Sequence, residues 1–331
     1  VIKALYWEVE ADQRVRCHLC PHHCRIPEGR RGICQIRENR EGILYALTYN
    51  RVSSVHMDPI EKKPLYHFFP GRDILSIGSV GCNLKCAFCQ NWEISQIGFE
   101  NSLTVMDPKK IVALAQSQQS IGVAYTYNEP FIWWEYVRDT SRAVRDTHLK
   151  NVLVTNGYIE SDPLREILPL IDAMNIDLKA MDEHFYRSIC GGSLAPVLQT
   201  IETSYQHGVH IEVTNLLVTG LNDSRDQIHK LVDYIAGLSP DIPLHFSRYF
   251  PAYRLEAPPT NLTILKEAYA IAREKLHYVY LGNMGSAEGQ MSYCSQCGQP
   301  VIHRYGYQVE LDGFLNGYCR YCGTFFPLRN E

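Results

Sequence analysis

Short apolar runs rich in β-branched residues recur through the middle of the chain, at 74–79, 121–127, 151–155, 174–178, 209–218, 243–249 and 277–282. Stretches with helical apolar spacing separate most of them, near 130–147, 194–207, 225–238 and 262–276. Asp107-Pro108 opens a further helix with an N-cap and a proline at the first helical position. Strands that alternate with helices predict parallel strands joined by right-handed crossovers. Seven strands at most predict an α/β fold built as an incomplete (β/α) barrel, with a doubly wound open sheet as the alternative. The pattern is absent at both ends. Residues 1–70 hold β-like runs at 42–47 and 51–55 in a Gly/Arg/Pro-rich background, and from about 287 the periodicity stops. Three units follow: 1–70, 71–286 and 287–331.

Composition narrows the class. The 331 residues are 45% apolar and 21% charged, as in an ordinary folded protein, and the net charge is −4 with no long Lys/Arg run. Nucleic-acid and membrane partners therefore gain no electrostatic support. No apolar stretch has the length of a bilayer span, and Val1-Ile2-Lys3-Ala4 lacks the features of a signal peptide. The expected setting is cytoplasmic and reducing. Eleven of the 12 cysteines fall into three groups, leaving Cys190 alone. Spacings of two or three residues let thiolates converge on one metal centre, whereas a disulfide framework suits small secreted chains.

The central group is Gly81-Cys82-Asn83-Leu84-Lys85-Cys86-Ala87-Phe88-Cys89-Gln90-Asn91-Trp92, placed after the first strand of the regular region. Active sites form at that end of strands in barrels and open sheets. Cys82, Cys86 and Cys89 can bind three irons of a cubane, and no fourth cysteine follows nearby. One iron is left open as a Lewis acid able to chelate an amino acid's amine and carboxylate. The C-x3-C-x2-C spacing on a post-strand loop, with an aromatic before the third cysteine, resembles the signature of the radical S-adenosylmethionine (SAM) superfamily. A structural zinc site is the weaker reading, since it needs a closed shell of four ligands.

The resemblance implies a partial (β/α)6-type radical SAM barrel, a [4Fe–4S] cluster on the three cysteines, and bound SAM. It also places cofactor contacts at later strand ends. In Tyr125-Thr126-Tyr127-Asn128-Glu129-Pro130, the backbone around Tyr127 and the side chains of Asn128 and Glu129 would meet the methionine ammonium; helix capping is the plainer alternative. Thr155-Asn156-Gly157 would touch ribose or carboxylate, or form a simple turn. Asp177 and Lys179 alternate onto one strand face and resemble an Asp-x-Lys near SAM in activases of glycyl radical enzymes, against a structural ion pair as the alternative. His245 or Arg248 would reach the SAM carboxylate or the substrate. Asp177, Lys179, His245 and Arg248 are thus the candidate catalytic residues. Asn222-Asp223 is expected to cap the next helix.

The flanking cysteines extend the resemblance. Cys17-His18-Leu19-Cys20-Pro21-His22-His23-Cys24, with Gly29, Gly32 and Cys34, makes the chain similar to the radical SAM enzymes of the AmmeMemoRadiSam system, related to pyruvate formate-lyase activating enzymes. Cys17, Cys20, Cys24 and Cys34 suit zinc or a second iron–sulfur cluster equally well, and loss of the metal should unfold their module. Cys294, Cys297, Cys319 and Cys322, each pair followed by a glycine, resemble a zinc ribbon or rubredoxin-like knuckle holding zinc, or a single iron as the alternative.

The expected activity is reductive cleavage of SAM to a 5′-deoxyadenosyl radical that abstracts hydrogen from a substrate, small molecule or protein. The reductant is expected to be a flavodoxin or ferredoxin. Installing a glycyl radical on a partner protein is the nearest alternative. A non-catalytic iron–sulfur and zinc protein would need a closed central cluster. A nucleic-acid-modifying enzyme would need a basic face that the composition does not supply.

Overall fold

The computed structural model describes residues 1–96 and 103–330. Eight strands form its main sheet: β1 (Ser54–Pro59), β2 (Asp73–Gly78), β3 (Gly122–Tyr125), β4 (Lys150–Thr155), β5 (Ala173–Asp177), β6 (His210–Leu217), β7 (Leu244–Arg248) and β8 (Val279–Gly282). They lie side by side in chain order. β2 to β8 are parallel, and β1 runs antiparallel on the outer side of β2. Every apolar run expected to be a strand is one. The antiparallel β1 comes from within the segment 1–70 expected to stand apart.

Helices α1 (Pro108–Ser117), α2 (Trp134–Arg145), α3 (Ser161–Ile167), α4 (Ala195–Gln206), α5 (Arg225–Leu238) and α6 (Leu262–Arg273) occupy the crossovers. Their starts are chemically marked. The Asp107 carboxylate accepts from the Lys110 N–H, Ser224 from Gln227, and Asn261 from Thr263, each satisfying an N–H that the helix cannot use. At Gly122 a Cβ would sit 2.0 Å from the Lys150 carbonyl oxygen, so only glycine lets β3 approach β4 there.

Side chains alternate in and out along the strands. The connection between β1 and β2 turns inward and fills one end of the barrel. Leu65 and Phe68 pack with Ile74, Ala124, Val152 and Ala173 from four inward strand faces. The Tyr66 and His67 backbone N–H groups donate to the Glu212 carboxylate at 2.9 and 2.7 Å, and Asn175 Nδ2 donates to the Pro64 carbonyl. Among the described residues this plug closes the N-terminal end of the strands.

Both flanking segments are docked by a buried arginine. Arg37, on a small strand at Arg37–Arg40, reaches Glu135 of α2 at 2.5 Å with both side chains buried. Arg304, on the strand Pro300–Tyr305, donates to the Tyr66 carbonyl at 2.6 Å and lies 4.2 Å from the Tyr66 ring centre. Apolar contacts follow the same seams. Tyr278 and Tyr280 beside and within β8 share a core with Cys294, Val301, Ile302, Cys319 and Phe326.

Candidate active site

β2 runs straight into the cysteine loop, and the loop is held from three sides. Asn128, after β3, accepts from the Ser79 N–H at 2.9 Å and donates to the carbonyls of Val80 and Gly81. Gly81 has φ +85°, and a Cβ there would lie 2.4 Å from the Cys34 carbonyl oxygen. A side chain is therefore excluded by both backbone conformation and space. From below, the N–H groups of Lys85 and Ala87 donate to the carbonyls of Cys190 and Ile189 at the end of a π-helical turn.

That scaffold aims Cys82, Cys86 and Cys89 into one open-ended cavity of about 270 Å3, lined also by Tyr127, Asn128, Glu129, Thr155, Asn156, Asp177, Lys179 and Ser247. Each thiol has its own polar neighbour. Cys82 Sγ receives the Leu84 N–H at 3.3 Å and Asn156 Nδ2 at 3.6 Å, Cys89 Sγ lies 3.1 Å from Ser95 Oγ, and Cys86 has the Cys190 thiol as its neighbour. Cys190 is buried and does not line the cavity, so the three facing thiols are the only cysteines among its lining residues. Burial pushes the Cys82 and Cys89 thiols up; for Cys86 the neighbouring Cys190 thiol comes first and burial second. Thiols held protonated in this way release their protons when a metal binds.

The candidate cofactor residues surround the loop in a ring. Glu129 is buried, and its oxygens accept from the Phe131 N–H, the Thr155 hydroxyl and the Asn156 N–H at 2.7–2.9 Å. Burial still lifts its carboxyl to about 7. Tyr127 adopts φ +70°, donates its hydroxyl to Asp58 at 2.5 Å and accepts from Asn91 Nδ2 through its carbonyl. Lys179 Nζ lies 3.1 Å from Asp177 Oδ2, and its ring-face neighbour is Phe88. Burial acts to discharge Lys179, but the negative charge of Asp177 outweighs it and raises the ammonium's pKa.

Three expectations are corrected. His245 does not line the cavity: it points into the barrel at the plugged end, where Nε2 meets Glu212 Oε2 at 2.6 Å and its ring packs edge-on against Tyr66. Arg248 does not line it either; Nε donates to the Thr260 carbonyl and the guanidinium covers Phe250. Ser247 is the lining residue on that strand. Alternation puts 245 and 247 on one face but says nothing of depth, which the plug decides. Lastly, Ser224 caps α5, and Asn222 instead donates to the Lys179 and Leu216 carbonyls and accepts from the Val218 N–H, fixing the backbone that carries Lys179.

At the C-terminal end, Cys294, Cys297, Cys319 and Cys322 place all four sulfurs within 4.8 Å of one another, with the Cys294–Cys322 and Cys297–Cys319 pairs at 3.5 and 3.7 Å. A tetrahedral ion at Zn–S lengths of about 2.3 Å separates its thiolates by about 3.8 Å, so these residues fit one four-thiolate metal.

Residues 76–235 match the profile of the Radical SAM superfamily. An uncharacterized protein of the archaeon Methanocaldococcus jannaschii is 42% identical over 327 residues, covering 97% of each chain. The chain belongs to the radical SAM superfamily. Members of this superfamily are enzymes that cleave SAM reductively on a [4Fe–4S] cluster, and the three-thiol cavity with no further cysteine in its lining suits a cubane with one open iron. The chain is also 26% identical over 159 residues to the pyruvate formate-lyase 1-activating enzyme of Escherichia coli K12, spanning 46% of its own length and 65% of that enzyme. Among solved structures, Streptococcus suis SuiB superposes with a TM-score of 0.51 at 16% identity, covering 67% of this chain and 55% of that one, a likeness of fold alone. No helix among the described residues is long and apolar enough to cross a membrane.

Proposed function

We propose that the chain generates a substrate radical at the hollow end of its barrel, with a [4Fe–4S] cluster on Cys82, Cys86 and Cys89 and SAM bound beside it. The observation that carries this reading is the convergence of those three thiols with Glu129, Asn156, Asp177 and Lys179 on one cavity. When bound, the reduced cluster supplies the electron that breaks a C–S bond of SAM and leaves a 5′-deoxyadenosyl radical to take hydrogen from the substrate.

The residues then have separable tasks. Tyr127, with its strained backbone and its carbonyl exposed to the cavity rim, and Asp177 present oxygens to the SAM ammonium, a charge-assisted contact. Glu129 does less directly: with both oxygens occupied, it braces the ends of β3 and β4 and holds the Asn156 backbone in place. Asn156 contacts Cys82 and orients polar atoms toward the ribose or carboxylate. Lys179, charged, complements the carboxylate of SAM or of the substrate. Leu84, Phe88, Val154 and Leu216 supply the apolar wall that keeps water from the radical.

The substrate is a small molecule or a protein segment, and a one-electron donor of the flavodoxin or ferredoxin type feeds the site. Zinc fills the C-terminal four-thiolate set. Twelve free thiols suit a reducing, cytoplasmic setting. The test is anaerobic reconstitution followed by assay of 5′-deoxyadenosine, with spectra of the reduced cluster before and after SAM. An intact cluster whose spectrum ignores SAM and that releases no 5′-deoxyadenosine under any reductant would refute the proposal.

A further inference from the structure

Cys17, Cys20, Cys24 and Cys34 line a separate small pocket together with Leu19, Ile26, Ile33, Ile132, His22 and Arg37. The two other cysteine sets give an internal ruler for what such thiols hold. Those of the C-terminal set lie within 4.8 Å of one another, as one tetrahedral ion requires. Among the described residues, neither the N-terminal set nor Cys82, Cys86 and Cys89 brings three sulfurs that close. Thiolates that ligate four different irons stand much further apart than thiolates on one ion, and the N-terminal set, like the cluster loop, lacks the close spacing of the C-terminal four.

Two further observations point to an electron-rich occupant. Arg37 is only 1% exposed, and its Nε–H has no hydrogen-bond partner although its other nitrogens reach Glu135 and the Leu5 carbonyl. An unpaired buried N–H is costly, and an anionic sulfur cluster would accept from it. The cavity also abuts the first site. The Cys34 carbonyl sits against Gly81, and His22, between Cys20 and Cys24, donates through Nε2 to the Asn83 carbonyl at 2.6 Å, next to Cys82.

We infer that Cys17, Cys20, Cys24 and Cys34 hold a second, fully ligated [4Fe–4S] cluster adjoining the open one. With four protein thiolates it has no free iron for SAM and serves as a one-electron store, filled by the flavodoxin- or ferredoxin-type donor and emptied toward the neighbouring cluster without any bond forming or breaking. Assignment of the second cluster rests on the cubane proposed for Cys82, Cys86 and Cys89; its test does not.

The Cys82→Ala/Cys86→Ala/Cys89→Ala variant, reconstituted anaerobically, separates the two. About four irons and one zinc per chain, with the EPR signal of a reduced cubane that SAM leaves unchanged, are expected. Two zincs without iron, or one zinc without iron, overturns the inference while leaving the proposed function intact. If that variant is not recovered folded, the wild-type protein decides: about eight irons per chain support two clusters and about four refute the second. In the fully reduced wild type, EPR lines broadened by coupling between the clusters support the adjacency, and two unperturbed signals overturn it.

Discussion

The Lys179 ammonium lies 3.1 Å from the Asp177 carboxylate, both on the wall of the three-thiol cavity and two residues apart in sequence. The pair is asymmetric: the lysine side chain is 14% exposed and the aspartate 38%, so the carboxylate keeps a face free for a ligand. Asp177→Asn should weaken SAM binding by about 10- to 100-fold, the size of one lost charge-assisted hydrogen bond, without loss of the cluster. Lys179→Met should do the same for a carboxylate-bearing ligand. Titration of the cluster spectrum with SAM measures both. An unchanged affinity in Asp177→Asn would assign the pair to structure alone.

The C-terminal segment should depend on its metal and lend stability to the barrel. Its core is continuous with Tyr278 and Tyr280, and Arg304 reaches through to Tyr66 and, at 3.8 Å, to Glu61 of the plug. Cys297→Ser/Cys322→Ser should lose one zinc per chain and lower the melting temperature by roughly 5 °C or more, since each kcal/mol is worth several degrees. Calorimetry beside zinc analysis checks this. A variant that loses the zinc but melts unchanged would show the module to be energetically independent.

Acid should loosen the plug through His67. Its Nδ1–H donates to the Pro327 carbonyl at 2.9 Å, so Nε2 is the acceptor for the Tyr280 hydroxyl at 2.5 Å; this neutral tautomer satisfies both contacts. Burial depresses the imidazole from 6.5 to about 3. The unfolded chain therefore takes up a proton below 6.5 that the folded chain refuses. The stabilisation is complete above pH 6.5, declines as pH falls, and is lost by about pH 3. A full shift of that size is on the order of 4 kcal/mol. Glu212, held well below its usual range against the cost of burial by His210 and His245, adds a loss of the same sign below 4.5. Urea midpoints from pH 7 to 5 should fall in the wild type and flatten in His67→Gln; parallel slopes would refute the assignment.

What was legible in the chain follows from how local each signal is. Seven strands announced themselves through β-branched runs, and Asp107, followed by proline, announced a helix start. Period-two alternation placed Asp177 and Lys179 on the cavity side. The same rule placed His245 inward without revealing that Leu65–Phe68 fills the barrel at its level. Nothing near Tyr66 or His67 in sequence hints at Glu212, whose carboxylate receives their N–H groups from about 145 residues away. The segment Ser161–Ile167 gave no warning because it is only seven residues long and its N-cap, Glu160, makes no side-chain cap. Nothing local in the sequence pairs Arg37 with Glu135, which packing buries together from 98 residues apart.

Cys190, the one cysteine outside the three groups, should tune the open cluster. Its thiol neighbours that of Cys86 and pushes its pKa up, its carbonyl receives the Lys85 N–H, and it is completely buried in the π-helical turn. With Cys86 ligating iron as a thiolate, the only proton in that contact belongs to Cys190, which becomes the donor. Hydrogen bonds to cluster sulfurs favour the reduced state because it carries more negative charge. Cys190→Ala should therefore lower the midpoint potential, by on the order of 50 mV if the reduction equilibrium shifts nearly tenfold. Cys190→Ser, which keeps a donor, should stay closer to the wild type. EPR-monitored redox titration of the open cluster separates these outcomes: equal shifts in both variants would trace the effect to packing, and an unshifted Cys190→Ala would mean that Cys190 donates no hydrogen bond to the bound cluster.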